Sequence, residues 1–97
     1  MISLIGGTGP EGRGLALRFA IAGQDVIIGS RDKAKADLAV ESLKQESVDL
    51  RISALDNLQA AKEGNIVFIA VPFVGHKETL ENLREDLSGK IVVDVVA

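Results

Sequence analysis

Short continuous apolar runs alternate along this chain with longer stretches whose apolar residues recur at helical spacing. Residues 2–5 (Ile-Ser-Leu-Ile) read as a first strand. Leu15, Phe19 and Ala22 then recur at helical spacing, as do Leu17 and Ile21, and Gly23 supplies a helix stop. Val26-Ile27-Ile28 is a second buried strand, ending at Gly29-Ser30-Arg31-Asp32. A helix over 32–45 follows, with Ala34, Leu38 and Leu43 among its expected buried positions. Val48, Leu50 and Ile52 alternate within 47–55, the pattern of a half-exposed edge strand. Asp56 or Asn57 suits the cap of a short helix through Lys62, which Gly64 closes. Residues 65–72 form the next buried strand, stopped by Pro72. Gly75 to Leu87 reads as a helix with Leu80, Leu83 and Leu87 on one face, and 90–96 as a last strand.

The order βαβαβαβαβ, with right-handed crossovers, predicts an α/β fold: a Rossmann-like doubly wound parallel sheet of order 3-2-1-4-5 that stops after the fifth strand. Its ligand crevice lies at the carboxyl edge, between strands one and four. With 97 residues the chain makes one domain, 1–97. It is 46% hydrophobic with three aromatic residues, so the core is aliphatic, as befits a sheet buried on both faces. A net charge of −3 speaks against a nucleic-acid or anionic-membrane surface. No cysteine is present, which removes disulfides and thiolate metal sites. No apolar run approaches the ~20 residues of a membrane span, and the first residues lack a basic signal region. The expectation is a cytoplasmic protein.

The candidate chemistry starts where the first strand ends. Gly7, Gly9 and Gly12 form G-x-G-x-x-G between a strand and a helix, the context in which that motif cradles a dinucleotide. Gly7 is assigned the tight turn, Gly9 the room for a pyrophosphate, and Gly12 the close packing of helix on sheet. Pro10 and Glu11 suit the first helical turn, whose amides and dipole favour phosphate. Arg13 and Arg18 are expected on the solvated face. An acid about ~20 residues on would select NAD. Here the tip of the second strand reads Gly29-Ser30-Arg31, which suits the 2′-phosphate of NADP, with Lys33 or Lys35 adding charge. Cations at the start of a helix oppose its dipole unless an anion joins them. Sequence alone does not separate Lys33 from Lys35.

At the tip of the fourth strand, Ala70, Val71 and Pro72 fall where the nicotinamide half would lie. Phe73 could shield a ring or pack on the following helix. His76, the single histidine, lies near that helix's start, where an imidazole could orient a substrate group. Asp94, inside an apolar strand, requires a hydrogen-bonding partner if buried. No arrangement for nucleophilic catalysis and no metal-ligand spacing occurs, so no catalytic or metal-binding residue is expected.

Residues 5–12 (Ile-Gly-Gly-Thr-Gly-Pro-Glu-Gly), Gly14-Leu15-Ala16-Leu17-Arg18, Ile27-Ile28-Gly29-Ser30-Arg31, Ala70-Val71-Pro72 and Lys90-Ile91-Val92-Val93-Asp94 together resemble the NADPH-dependent reductases of the deazaflavin coenzyme F420. The resemblance runs over essentially the whole chain. It implies an amino-terminal NADP(H)-binding domain, with coenzyme F420 as co-substrate and hydride passing directly between nicotinamide and deazaflavin. By position, Thr8, Gly9, Pro10 and Glu11 would line the pyrophosphate. Ser30, Arg31 and Lys35 would hold the 2′-phosphate, and Ala70, Val71 and Pro72 would flank the nicotinamide. The family often has tryptophan where this chain has Phe73. In the family a second domain of about equal size completes the deazaflavin pocket and the dimer, so this chain alone is expected to be inactive. A homo-oligomer formed through the last strand, Lys90 to Ala97, is expected in its absence. Two other readings remain open: the cofactor domain of another NADP-dependent dehydrogenase or imine reductase, and a nucleotide-binding module or redox sensor without catalysis.

Overall fold

The apolar runs become strands because a parallel sheet covered on both faces has no polar side to satisfy. In the computed structural model, which describes residues 1–46, 49–71 and 73–95 apart from the Phe73 side chain, nine elements alternate along the chain. They are β1 (Ile2–Ile5), α1 (Pro10–Ile21), β2 (Val26–Ser30), α2 (Lys33–Lys44), β3 (Ile52–Asp56), α3 (Asn57–Glu63), β4 (Ile66–Ile69), α4 (Phe73–Leu83) and β5 (Ile91–Asp94). The five strands form one sheet of order β3-β2-β1-β4-β5, and every adjacent pair is parallel. Every residue of β1 and β2 is buried, whereas β3 and β5 alternate or lie open at the edges.

Two clusters form the core. On one face Leu4, Val26, Ile28 and Ile52 meet Ala16 and Ala20 of α1 and Ala36, Ala39 and Leu43 of α2. On the other, Ile5, Ile27, Val67 and Ile69 meet Ala60 and Ala61 of α3 and Leu83 of α4. Alanines dominate the helix side of both contacts, so the helices lie close to the branched residues of the strands. Ser3, fully buried in β1, is accommodated by donating its hydroxyl to the Ala60 carbonyl at 2.6 Å. Lys90 ties α3 down from below: its ammonium donates to the carbonyls of Ala61, Lys62 and Gly64 at 2.5–2.6 Å, capping the helix's C-terminal end.

Several expected details shift. In α2 the buried stripe is Ala36, Ala39 and Leu43; Ala34 and Leu38 face solvent, Leu38 at 65% exposure. Asp32 starts the helix by accepting from the Ala34 amide, and packing against Val26, Ile28 and Ile52 selects the stripe that is buried. In α1, Ile21 and Ala22 are likewise exposed. The third strand begins at Ile52, five residues later than expected; Leu50 is buried before it, while Val48 lies outside the described residues. The last long helix starts at Phe73, before Gly75, and ends at Leu83, with turns over 84–89 in place of its expected final turn. No helix among the described residues is long and apolar enough to cross a membrane.

Candidate functional site

The sheet register brings the carboxyl ends of β1 and β4 level, Ile5 opposite Ile69, and the chain beyond each leaves in a different direction. A cleft of about 1050 Å³ opens where they diverge. Its floor and near wall are the β1–α1 turn and the start of α1: Gly6, Thr8, Gly9, Pro10, Glu11 and Gly12. Ser30, Arg31, Asp32 and Lys35 line it from the β2–α2 connection, and Asn57 from α3. The opposite side is built from Ala70, Val71, Val74, Gly75, Glu78, Thr79 and Asn82.

The turn works through two glycines with different constraints. Gly6 takes the left-handed backbone, φ 71°, and a side chain there would also collide with Val71 Cγ1. The tight turn assigned to Gly7 on sequence thus takes its left-handed residue one position earlier, at Gly6. Gly7 itself does not line the cleft. It is buried, with its amide donating to the Gly29 carbonyl at 3.0 Å. Gly12 is constrained by proximity: a Cβ there would lie 2.6 Å from the Gly7 Cα. A Cβ on Gly9 would meet nothing within 4 Å, so the backbone is bare toward the cleft.

The start of α1 differs from those of α2 and α3. Asp32 caps α2 at the Ala34 amide, 3.0 Å, and Asp56 caps α3 at the Gln59 amide, 2.8 Å. Gly9 at the N-cap of α1 offers no side chain. Pro10 has no amide to satisfy, and the Arg13 amide bonds the Gly9 carbonyl at 2.9 Å. The amides of Glu11 and Gly12 consequently have no partner among the described residues, and they sit at the positive end of the helix dipole. That is a site for an anion.

Across the cleft the cations sort themselves. Lys33 pairs with Asp37 on the exposed face of α2 at 3.0 Å, whereas Lys35 and Arg31 line the cleft with no ion pair to any described residue. The Ser30 oxygen accepts from the Asp32 amide at 3.2 Å, which leaves its O–H as a donor. Asp32 is committed to its cap. Arg13 does not line the cleft; it is half-buried, not solvated, and its Nε has no partner among the described residues.

Asn57, read on sequence only as a possible cap, is instead the link between α3 and the glycine turn. Its side chain is buried, and Oδ1 accepts the Gly6 amide at 3.1 Å. At the other end of the cleft, Pro72 and the Phe73 side chain lie outside the described residues. His76 does not line the cleft. Its Nε2 is 2.7 Å from Asp94 Oδ2, tying the first turns of α4 to the tip of β5. Asp94 is half-exposed, not buried, and this contact answers the question of its partner. Of the residues sequence reasoning missed, Val74, Glu78 and Asn82 follow an i, i+4 spacing down one side of α4, with Gly75 and Thr79 beside them. That stripe was visible in the sequence, but nothing local marked it as cleft-facing.

An uncapped helix start at the carboxyl edge of a 3-2-1-4-5 parallel sheet, opposite cations with no ion pair among the described residues, defines a Rossmann-like α/β domain. The chain belongs to the family described as NADP oxidoreductase coenzyme F420-dependent, whose model matches residues 1–97. It is 45% identical over 98 residues to the F420-dependent NADP reductase of Methanocaldococcus jannaschii, covering 97% of this chain and 44% of the relative. It is 41% identical over 95 residues to the enzyme of the same name from Methanothermobacter marburgensis, covering 96% of this chain and 42% of the relative. Among solved structures, one assigned as a candidate F420-dependent NADP reductase from Arthrobacter sp. FB24 superposes with a TM-score of 0.80 at 27% identity, over 98% of this chain and 44% of that one. The chain thus spans less than half the length of these relatives.

Proposed function

We propose that residues 1–97 form an NADP(H)-binding domain, and that it supplies the nicotinamide-cofactor half of a hydride transfer between NADPH and coenzyme F420. The observation that carries the reading is the uncapped start of α1, with the Glu11 and Gly12 amides unpartnered among the described residues, set across one cleft from Ser30, Arg31 and Lys35. The first group suits a pyrophosphate and the second a 2′-phosphate. The bare backbone at Gly9 leaves room for the ligand. Ala70 and Val71 form a small apolar surface at the opposite end of the cleft, suited to the nicotinamide. Pro72 and Phe73 belong to the same proposed surface by sequence position. His76, held by Asp94, positions the start of α4 and does not contact substrate in this reading.

NADPH, when bound, supplies a hydride from its nicotinamide ring. The chain's own residues bind and orient: amides at one phosphate group, a guanidinium and an ammonium at the other, and a small apolar seat for the ring. Direct hydride passage requires no proton transfer by a side chain. Membership of the F420-dependent family and similarity to F420-dependent NADP reductases support coenzyme F420 as the hydride partner.

Titration of NADPH and NADH against the chain, its Arg31→Asp variant and the Lys35→Ala and Lys33→Ala variants tests the reading. Arg31→Asp is expected to weaken NADPH by at least about 100-fold, a loss of two charge-assisted hydrogen bonds plus added repulsion, with NADH little changed. Lys35→Ala is expected to weaken NADPH several-fold and Lys33→Ala not at all. Equal losses for both dinucleotides would remove the assignment of the 2′-phosphate.

A further inference from the structure

The apolar anchors of α4 sit at one end of the helix. Leu83 is buried in the cluster that α3 shares with the sheet, and Leu80 packs against the same cluster. The first turns have no such anchor: among residues 74–79 no side chain is buried, and Val74 is 97% exposed. The side chain that ties them to the sheet is His76, whose Nε2 lies 2.7 Å from Asp94 Oδ2. We propose that His76 is a positioning residue for the nicotinamide. Its bond to Asp94 fixes the first turns of α4 as one wall of the ring's seat, separately from the grip on the phosphates. The inference rests on the NADP(H) reading above.

Asp94 is a firm point to bind. It ends β5 opposite Ile69 of β4, and the next amide, Val95, donates to the Ile69 carbonyl at 3.1 Å. The Ala70 amide donates in turn to the Ile5 carbonyl at 2.8 Å. The tip of β4 is thereby held between β1 and β5, and Ala70 and Val71, the apolar part of the seat, continue from it. An ionised carboxylate only accepts, so the imidazole presents Nε2–H to Asp94. The His76 side chain is 21% exposed and that of Asp94 51%, so the bond is partly shielded from water.

The helix carries this restraint into the cleft. Gly75 immediately precedes His76, Val74 lies two residues before it and Glu78 two after, and all three line the cleft. A smaller depression of about 470 Å³ beside Arg31 is lined by Thr79, Asn82 and Leu83, but by none of those three. The α4 wall therefore divides: its later turns face the Arg31 end, and its first turns face the end where Ala70 and Val71 lie. Releasing His76 frees the wall beside the ring, while Leu80 and Leu83 still hold the rest. The Glu11 and Gly12 amides, Ser30, Arg31 and Lys35 belong to other elements, so the phosphate grip does not depend on this bond.

The test compares NADPH with 2′-phospho-ADP-ribose, the same molecule without its nicotinamide. Each is titrated against the chain, His76→Ala and His76→Gln. An unfixed wall lowers the fraction of chains ready for the ring. His76→Ala is therefore expected to weaken NADPH by about threefold to tenfold, up to the worth of one hydrogen bond, and to leave 2′-phospho-ADP-ribose unchanged. The emission of bound NADPH should shift toward that of the free dinucleotide. His76→Gln keeps an N–H for Asp94 and should restore most of the NADPH affinity; in an Asp94→Ala background, Ala and Gln at position 76 should bind NADPH alike. Circular-dichroism melts check that each variant is folded. Equal losses for the two ligands overturn the proposal, because the bond would then support the fold as a whole. So does an unchanged NADPH affinity in His76→Ala, or a His76→Gln chain no better than His76→Ala. If the unmodified chain binds both ligands equally, the ring has no seat and only this proposal falls. If neither binds, the NADP(H) reading falls and this one with it.

Discussion

Replacing Gly12 or Gly14 by alanine gives opposite results in one helix, although the two glycines are two residues apart. At Gly14 a Cβ meets nothing within 4 Å, and the residue is exposed. Gly14→Ala therefore gains only what alanine gains over glycine in an exposed helix interior, about 0.5–1 kcal/mol. At Gly12 the same methyl would stand 2.6 Å from Gly7 Cα and 2.9 Å from the Gly7 carbonyl carbon and oxygen. All three are backbone atoms, so relief requires α1 to move off the turn. Overpacking of this kind costs about 1–3 kcal/mol, which outweighs the propensity gain and leaves Gly12→Ala destabilised by about 1–2 kcal/mol. The two variants are expected to differ by roughly 2 kcal/mol, a separation of about 8–16 °C in Tm for a chain of this size. Thermal and urea melts read that difference directly. An NADPH titration reads its second consequence: displacing α1 moves the Glu11 and Gly12 amides, and losing one charge-assisted hydrogen bond weakens binding by about tenfold or more. Gly14→Ala should bind as the parent does. A Gly12→Ala chain as stable as Gly14→Ala would refute the close approach as the reason for that glycine.

Lys90→Met should destabilise the chain by about 1.5–3 kcal/mol, because it strips a charged donor from three carbonyls at the end of α3. Urea melts check this, and NADPH affinity of the folded protein should not change, because Lys90 enters from the opposite edge of the sheet. Among the described residues β5 pairs only with β4, and Ile91 and Val92 are 63% and 41% exposed. Self-association through this edge is expected to raise the sedimentation coefficient with concentration, and Val92→Lys to suppress the rise. A concentration-independent monomer would refute it.

What could be read from residues alone was what depends on neighbours in the chain. Buried strands show as unbroken Ile and Val runs, and the glycine turn shows because few other residues accept its backbone. Asp32 and Asp56 mark helix starts because an N-cap acts across two or three residues. Strand order followed too, since right-handed crossovers leave few alternatives. The phase of α2 was less legible: both Ala34 and Ala36 fit a helical stripe, and only packing on β2 and β3 chooses between them.

The site divides in the same way. The residue types for a phosphate turn and a cationic strand tip were plain in the sequence, and the fold brings Thr8–Gly12, Ser30, Arg31 and Lys35 to one cleft. Which lysine faces that cleft was decided by how α2 sits on the sheet: Lys35 lines it, while Lys33 pairs with Asp37 on the exposed face. Asn57 reaches the glycine turn across 51 residues of chain. His76 meets Asp94 only because the fold brings the first turns of α4 to the tip of β5. Thr79 and Asn82 carry no local signature at all. Backbone preference and hydrophobic periodicity act over a few residues and are written in order along the chain, whereas the choice of partner for a polar side chain is made by whatever the folded sheet brings within three ångströms.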